Sequence, residues 1–255
     1  TSFFAILLGS DNGGTVTPTD GSVTGDKLAS NIAIATTADA SFGSKIGVNT
    51  THPASGAGLD KFIEVQGGDP GVVLRDDTAS DAVELYNAGG NFIVYTGSAD
   101  AFKIDSAGHI TKPLQSAFHV DPSTDQNNFG QNPDAWVNVV FGTEVFDQNA
   151  DFASNTFTAP VTGRYFLNAV VRLNSVDEAA NYYWLRLNTS NRIIYGTLYD
   201  LDGLGSDPNY WALTVCALTD MDANDTVTLD IIQNGGTIQT DVDGSGTHFS
   251  GFLAC

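Results

Sequence analysis

A chain of 255 residues can hold two modest domains, since a domain takes about 100 to 200 residues. Its 30 acidic against 10 basic side chains leave a formal charge of -20, which excludes a nucleic-acid backbone as partner because phosphate contacts need clustered Lys and Arg. Gly, Thr, Asn and Asp crowd the positions between apolar runs, and no such run approaches the about 18 residues of a membrane span, so the sequence predicts a soluble all-β protein without membrane insertion.

Phe3 to Leu8 is apolar but has no basic flank, so neither a signal peptide nor an anchor is expected there. The chain starts on Thr1, and the opening reads like the end of a strand, as in a piece of a longer polypeptide. Residues 1–45 are rich in Thr, Ala, Ser and Gly, and in Asp20–Ser30 (DGSVTGDKLAS) turn formers surround few apolar side chains. Such a stretch cannot build a core alone.

From about residue 61 to 111 the texture becomes short strands, FIEV, GVVLRD, AVELYN, NFIVYTG and AFKIDSAGHIT, punctuated by GGDPG, NAGGN and the DSAGH turn. This spacing predicts a β-meander. Five thin strands expose an apolar face with no second layer in the chain, and identical copies are the simplest cover. Lys112-Pro113 breaks the pattern, because proline cannot donate to a ladder, and the domain boundary is placed there. Beyond it come longer alternating strands: SAFHV, WVNVVFGTEVF, FTAPVTGRYFLNAVVRLN, YYWLRLN, RIIYGTLYD, YWALTVCAL, DTVTLDIIQ and HFSGFLAC. Eight strands in this length predict a double-sheet jelly roll. The two parts differ in charge: residues 1–115 carry 6 basic and 13 acidic side chains, residues 116–255 carry 4 Arg, no Lys and 17 acids.

The C-terminal part resembles the family of the complement C1q globular head and tumour necrosis factor. The likeness rests on AFHV, then VVFGTEVFD, then Phe157-Thr158-Ala159-Pro160-Val161-Thr162-Gly163-Arg164-Tyr165-Phe166, then Leu185, Leu187 and Asn188, then Asn224-Asp225-Thr226-Val227, and last Phe249-Ser250-Gly251-Phe252-Leu253. Asn224 stands where that family has Gly in a turn, and Asn tolerates the left-handed backbone. No collagen-like Gly-X-Y run precedes this part, which points away from the complement proteins themselves. Upstream, DGSVTGDKLA, SKIGVNTTHP, GGDPGVVLRDD and FKIDSAGHIT look like shaft segments of tailed-phage fibres. Together the resemblances imply an all-β homotrimer: a short-stranded trimeric β-shaft over residues 1–112 and a ten-stranded-type jelly-roll head over residues 113–255. They imply a virion location, other tail or capsid proteins as partners, and a head that meets a host-surface glycan or protein. The rival expectations are a capsid-decorating or trimerisation-cap fibre without receptor role, a secreted lectin-like adhesin and, last, a glycan depolymerase.

No enzyme is expected. With 30 acids, a carboxylate pair arises by chance, and His52, His109, His119 and His248 show no HxH or HExxH spacing. No G-x-S-x-G elbow is present either. No cofactor is expected, with calcium as the one candidate, invited by the loops Asp200 to Gly203, Asp220-Met221-Asp222 and Asp241-Val242-Asp243. Asp220, Asp222, Asp241 and Asp243 are the candidate ligands. The sixth position from Asp220 is Asp225 rather than Gly and the twelfth is Ile231 rather than Glu, so an EF-hand is not expected and Asx turns explain the same residues. Cys216 and Cys255 are too few for a disulfide scaffold.

Aromatic side chains crowd residues 180–212: Tyr182, Tyr183, Trp184, Tyr195, Tyr199, Tyr210 and Trp211. Alternation in YYWLRLN puts Tyr183, Leu185 and Leu187 on one face, expected to be core, and Tyr182, Trp184 and Arg186 on the other, expected to meet other copies. The loop from Tyr199 to Trp211 is the expected receptor-contact surface, with Tyr199, Leu204, Asp207, Asn209 and Tyr210 as its candidates.

Overall fold

Every regular element is a strand in the computed structural model, which describes residues 46–48, 63–76, 82–129, 134–201 and 203–255. The chain divides into two units, Thr1–Glu64 and Val65–Cys255. Asp20–Ser30, His52, Asp202 and nearly all of the shaft expected before residue 63 lie outside the described residues. In that region β1 (Ile46–Val48) pairs with β2 (Ile63–Val65).

The predicted meander is a five-stranded antiparallel sheet in chain order: β3 (Gly71–Arg75), β4 (Ala82–Ala88), β5 (Asn91–Thr96), β6 (Asp100–Ile104) and β7 (Ile110–Thr111). Gly89 and Gly90 make the β4–β5 turn with positive φ, as a two-residue hairpin requires. Between β6 and β7, the Asp105 carboxylate accepts from the Ala107 and His109 backbone amides and meets the His109 ring at 2.8 Å, which holds the DSAGH turn closed and lowers the Asp105 pKa. Register aligns Val72, Leu85, Val94 and Phe102 across four strands, with Leu74 beside Val83 and Phe92 beside Ile104 and Ile110. Side chains at paired positions share a face, so one side of this sheet is almost wholly apolar. Val72, Leu74, Val83, Phe92 and Ile110 on it are exposed.

The head is a sandwich. One sheet runs β10 (Thr143–Gln148), β8 (Ala117–Asp121), β19 (His248–Leu253), β13 (Gly163–Asn174), β16 (Tyr210–Met221), with β18 (Asp241–Val242) also on β13. The other runs β11 (Phe152–Ala153), β12 (Thr156–Thr158), β17 (Thr226–Asn234), β14 (Tyr182–Thr189), β15 (Ile193–Tyr199), with β9 (Val137–Asn138) on β17. Successive long strands cross from sheet to sheet, β12 to β13, β13 to β14, β15 to β16 and β16 to β17, which is jelly-roll topology.

Two predicted strands are broken. WVNVVFGTEVF divides into β9 and β10 because the chain changes sheets at Gly142, where a Cβ would stand 2.5 Å from Ser123 Oγ. FTAPVTGRYFLNAVVRLN divides at Pro160, with β12 and β13 in opposite sheets. Asn224 has φ of 74°, the left-handed turn expected of it. Between the sheets Phe118 stacks on Phe152 and Phe157 and meets Phe249 edge-on, with ring centroids 4.7–5.2 Å apart. Tyr165, Leu167, Val171, Tyr183, Leu185, Leu187, Leu229 and Ile231 complete a core that excludes water.

Candidate self-association and contact surfaces

In the sheet containing β13 the buried residues alternate with outward ones, and the outward set is unusually apolar. Phe146, Phe166, Leu218 and Phe252 are exposed there, beside half-buried Ala117, His119, Val170, His248 and Ser250. Phe166 and Phe252 touch with centroids 5.6 Å apart. Between them and Phe146 lies a shallow concavity of about 290 Å³ floored by Gly251. A Cβ on Gly251 would fall 2.7 Å from Leu167 Cδ2 and 2.8 Å from Phe118 Cε1, so only glycine lets β19 lie this close to the core.

The face on which Tyr182, Trp184 and Arg186 lie is built differently. Trp184 stacks on Tyr195 at 4.0 Å, and Trp136, ahead of β9, adds a third ring 6.0 Å from each. The Arg186 guanidinium sits 4.1 Å over Trp136 and ion-pairs with the buried Asp230 carboxylate at 2.8 Å. Asn138 and Thr228 donate to the other Asp230 oxygen. The set satisfies its own charges and stacks its rings on one another, while Tyr195 stays exposed beside Ile193 and Leu198. Self-association was expected here, whereas the exposed phenylalanines of the head stand on the opposite sheet.

The predicted contact loop joins β15 to β16, and its five candidates divide. Tyr199 turns inward, edge-on to Trp211 and against the core. Asp207 is structural: its oxygens accept from the Glu178 amide and the Gln239 side chain, which lowers its pKa. The Asn209 carbonyl accepts from the Ser175 amide, and the Glu178 carboxylate accepts from the Gly205 amide. Leu204 and Tyr210 project outward, Tyr210 with the Arg172 guanidinium 5.3 Å over its ring. Beneath the loop, the Tyr183 hydroxyl bonds Thr240 Oγ1 at 2.7 Å and the Asp177 backbone, and burial pushes its pKa up to about 12.

Register fixes where this loop sits. The chain enters the head at Gln115 and Ser116, which bond to Leu253, beside Cys255 and Arg164. Tyr210 pairs with Asn174, at the other end of β13. Ten residues separate Arg164 from Asn174, about 33 Å of strand, so the loop occupies the end of the head remote from the chain's entry.

The four candidate metal ligands are split the same way. Asp220 faces Arg164 in the register and ion-pairs with Arg192 at 2.8 Å, with Asp222 close by next to Thr162. Asp241 and Asp243 lie at the far end, where Asp241 accepts from the Asn128 amide and Asp243 holds Arg172 at 2.6 Å and Ser245. Among the described residues no group of three or more His, Cys, Asp or Glu could hold a metal ion. Cys216 and Cys255 are exposed thiols.

No family model and no curated protein matches the chain. Among solved structures the chain is similar to the globular domain of zebrafish complement 1qA protein, at 18% identity over 55% of this chain and 98% of that one, with a TM-score of 0.40. It is also similar to murine APRIL crystallised at pH 5.0 and at pH 8.0, each at 12% identity over 55% of this chain and 98% of that one, with TM-scores of 0.39.

Proposed function

We propose that the chain is a homotrimeric fibre protein of a bacterial virus, with a β-shaft over residues 1–112 and a jelly-roll head over residues 113–255 that adheres to a host-surface glycan or protein. The observation that supports self-association in this reading is a pair of exposed apolar faces in one chain: the outward Phe146, Phe166, Leu218 and Phe252 of the head, and the Val72, Leu74, Val83, Phe92 and Ile110 face of the five-stranded sheet. Exposed apolar patches of this kind mark association surfaces, and other copies of the chain are the simplest cover for both. A foreign partner would have to match two separate faces. The heavy negative charge elsewhere keeps such an assembly soluble. What supports adhesion is position: Leu204 and Tyr210 project at the end of the head away from the chain's entry, and several weak contacts on one rigid unit add as avidity.

The test combines mass and competition. Sedimentation equilibrium of the purified protein should give three times the chain mass, and the purified trimer should compete with virus particles for host cells. Leu204→Ser with Tyr210→Ala should abolish competition and leave the mass and the melting temperature unchanged. A monomer would remove the reading, no competition by the wild-type trimer would leave a cap or decoration role in its place, and undiminished competition by the double variant would move the contact away from Leu204 and Tyr210.

A further inference from the structure

Two imidazoles lie within the apolar outward face of the head. His119 on β8 and His248 on β19 stack with centroids 5.5 Å apart and planes inclined by 13°. Asp121 Oδ1 stands 3.3 Å from His119 Nε2. From β10, Phe146 pairs with His119, its ring 6.0 Å away, and the acids along that strand are Glu144 and Asp147. Asp147 is occupied by the Asp151 and Phe152 amides. From β13, Val170 pairs with His248, and the charged residue next on that face, Arg172, is held by Asp243. Among the described residues Asp121 is thus the one carboxylate in contact with the pair, against two imidazoles. Ser250 and Phe252 follow His248 along β19 on the same face.

Stacked neutral imidazoles behave as flat, partly apolar surface and can be buried with the phenylalanines around them. Two imidazolium ions at this separation repel, and one carboxylate balances only one of them. We propose that His119 and His248 form a pH-operated release in the self-association face, holding the copies together when neutral and separating them when protonated. This rests on the self-association reading above and adds its regulation. His248 is already held below its ordinary pKa of 6.5, first by burial and then by His119, with Asp121 opposing. Covering the pair with another copy takes more water from both rings and disfavours their protonated forms further, so the assembled state binds fewer protons than the separated chains and assembly weakens as pH falls below 6.5. One proton per chain over three chains lowers the association constant by at most about a thousand-fold between pH 7.5 and 5.5, the full factor requiring the ordinary histidine pKa in the separated chains.

Sedimentation equilibrium of the full chain at pH 7.5 and 5.5 and constant ionic strength tests it, because acids with ordinary pKa values stay ionised throughout that window. The wild type should be assembled at pH 7.5, separate on dilution at pH 5.5, and recover when the pH is restored. His119→Gln with His248→Gln should stay assembled at both, with circular dichroism at each pH reporting an intact fold; His248→Gln alone should reduce the pH response if the double variant does not fold. Equal association of the wild type at both pH values overturns the release while leaving self-association standing. So does a folded double variant that separates as the wild type does. A wild-type monomer at pH 7.5 overturns the self-association reading and the release with it.

Discussion

Phe252→Ala isolates the self-association face from the fold. The ring is 47% exposed and lies on the outward side of β19, beside Phe166 rather than among Phe118, Phe157 and Phe249. Of the roughly 200 Å² that a phenylalanine side chain can bury, close to half is therefore still in water in the single chain. Covering about 90 Å² at about 25 cal/mol per Å² gives ~2 kcal/mol per chain, or about 6 to 7 kcal/mol over three chains. The association constant of a trimer should fall by a factor of about 10⁴ to 10⁵, each 1.4 kcal/mol being tenfold. Sedimentation equilibrium across a concentration series reads this directly, and near-ultraviolet circular dichroism of the separated chains should still report packed aromatics. An unchanged association constant would refute the assignment of this face. Loss of the folded signal together with the mass would show instead that Phe252 supports the core.

Four further outcomes test other parts of the molecule. Gly251→Ala drives a methyl into Leu167 and Phe118 and should cost about 2 kcal/mol of stability, read by denaturant unfolding. Arg186→Met leaves the buried Asp230 carboxylate without its cation and should cost about 3 kcal/mol, whereas Arg186→Met with Asp230→Leu should recover much of it, as a thermal melt of each would show. Asp177→Ala removes the acceptor for the Thr237 amide and hydroxyl and the Ala179 amide, and should lower stability by about 3 kcal/mol while leaving the mass of the assembly unchanged. EDTA should leave the melting temperature where it is, because Asp220, Asp241 and Asp243 already have protein partners; a fall of several degrees would establish a shared cation.

The fold was legible in the sequence where period and punctuation agree. Alternation in YYWLRLN placed Tyr183, Leu185 and Leu187 in the core, where all three are fully buried. Strands that switch sheets without a change of period were read as single elements, since nothing in WVNVVFGTEVF except Gly142 marks the crossing. The surfaces were harder to read for a related reason. Alternation says that two faces differ but not which is the outside of the molecule's next layer, so aromatic density around Tyr182 and Trp184 suggested self-association there. Trp136, 48 residues earlier than Trp184, joins that patch with Arg186 and could be found only through the β9–β17 pairing.

The outward phenylalanines carried a signal that composition hid. Phe166 and Phe252 each follow or precede a core residue by one position, Tyr165 and Gly251, so each necessarily points away from the core in an extended strand. A phenylalanine on the outer face of a strand is costly to leave in water, and two such residues on adjacent strands, joined by Phe146 and Leu218 on the flanks, have no cover among the described residues. His119 and His248 follow by the same count, since each alternates with a core residue, Phe118 or Val120 and Phe249. Their pairing is nonlocal, set by the β8–β19 register across more than 120 positions, and it turns two histidines without any motif spacing into one titratable unit inside an apolar face.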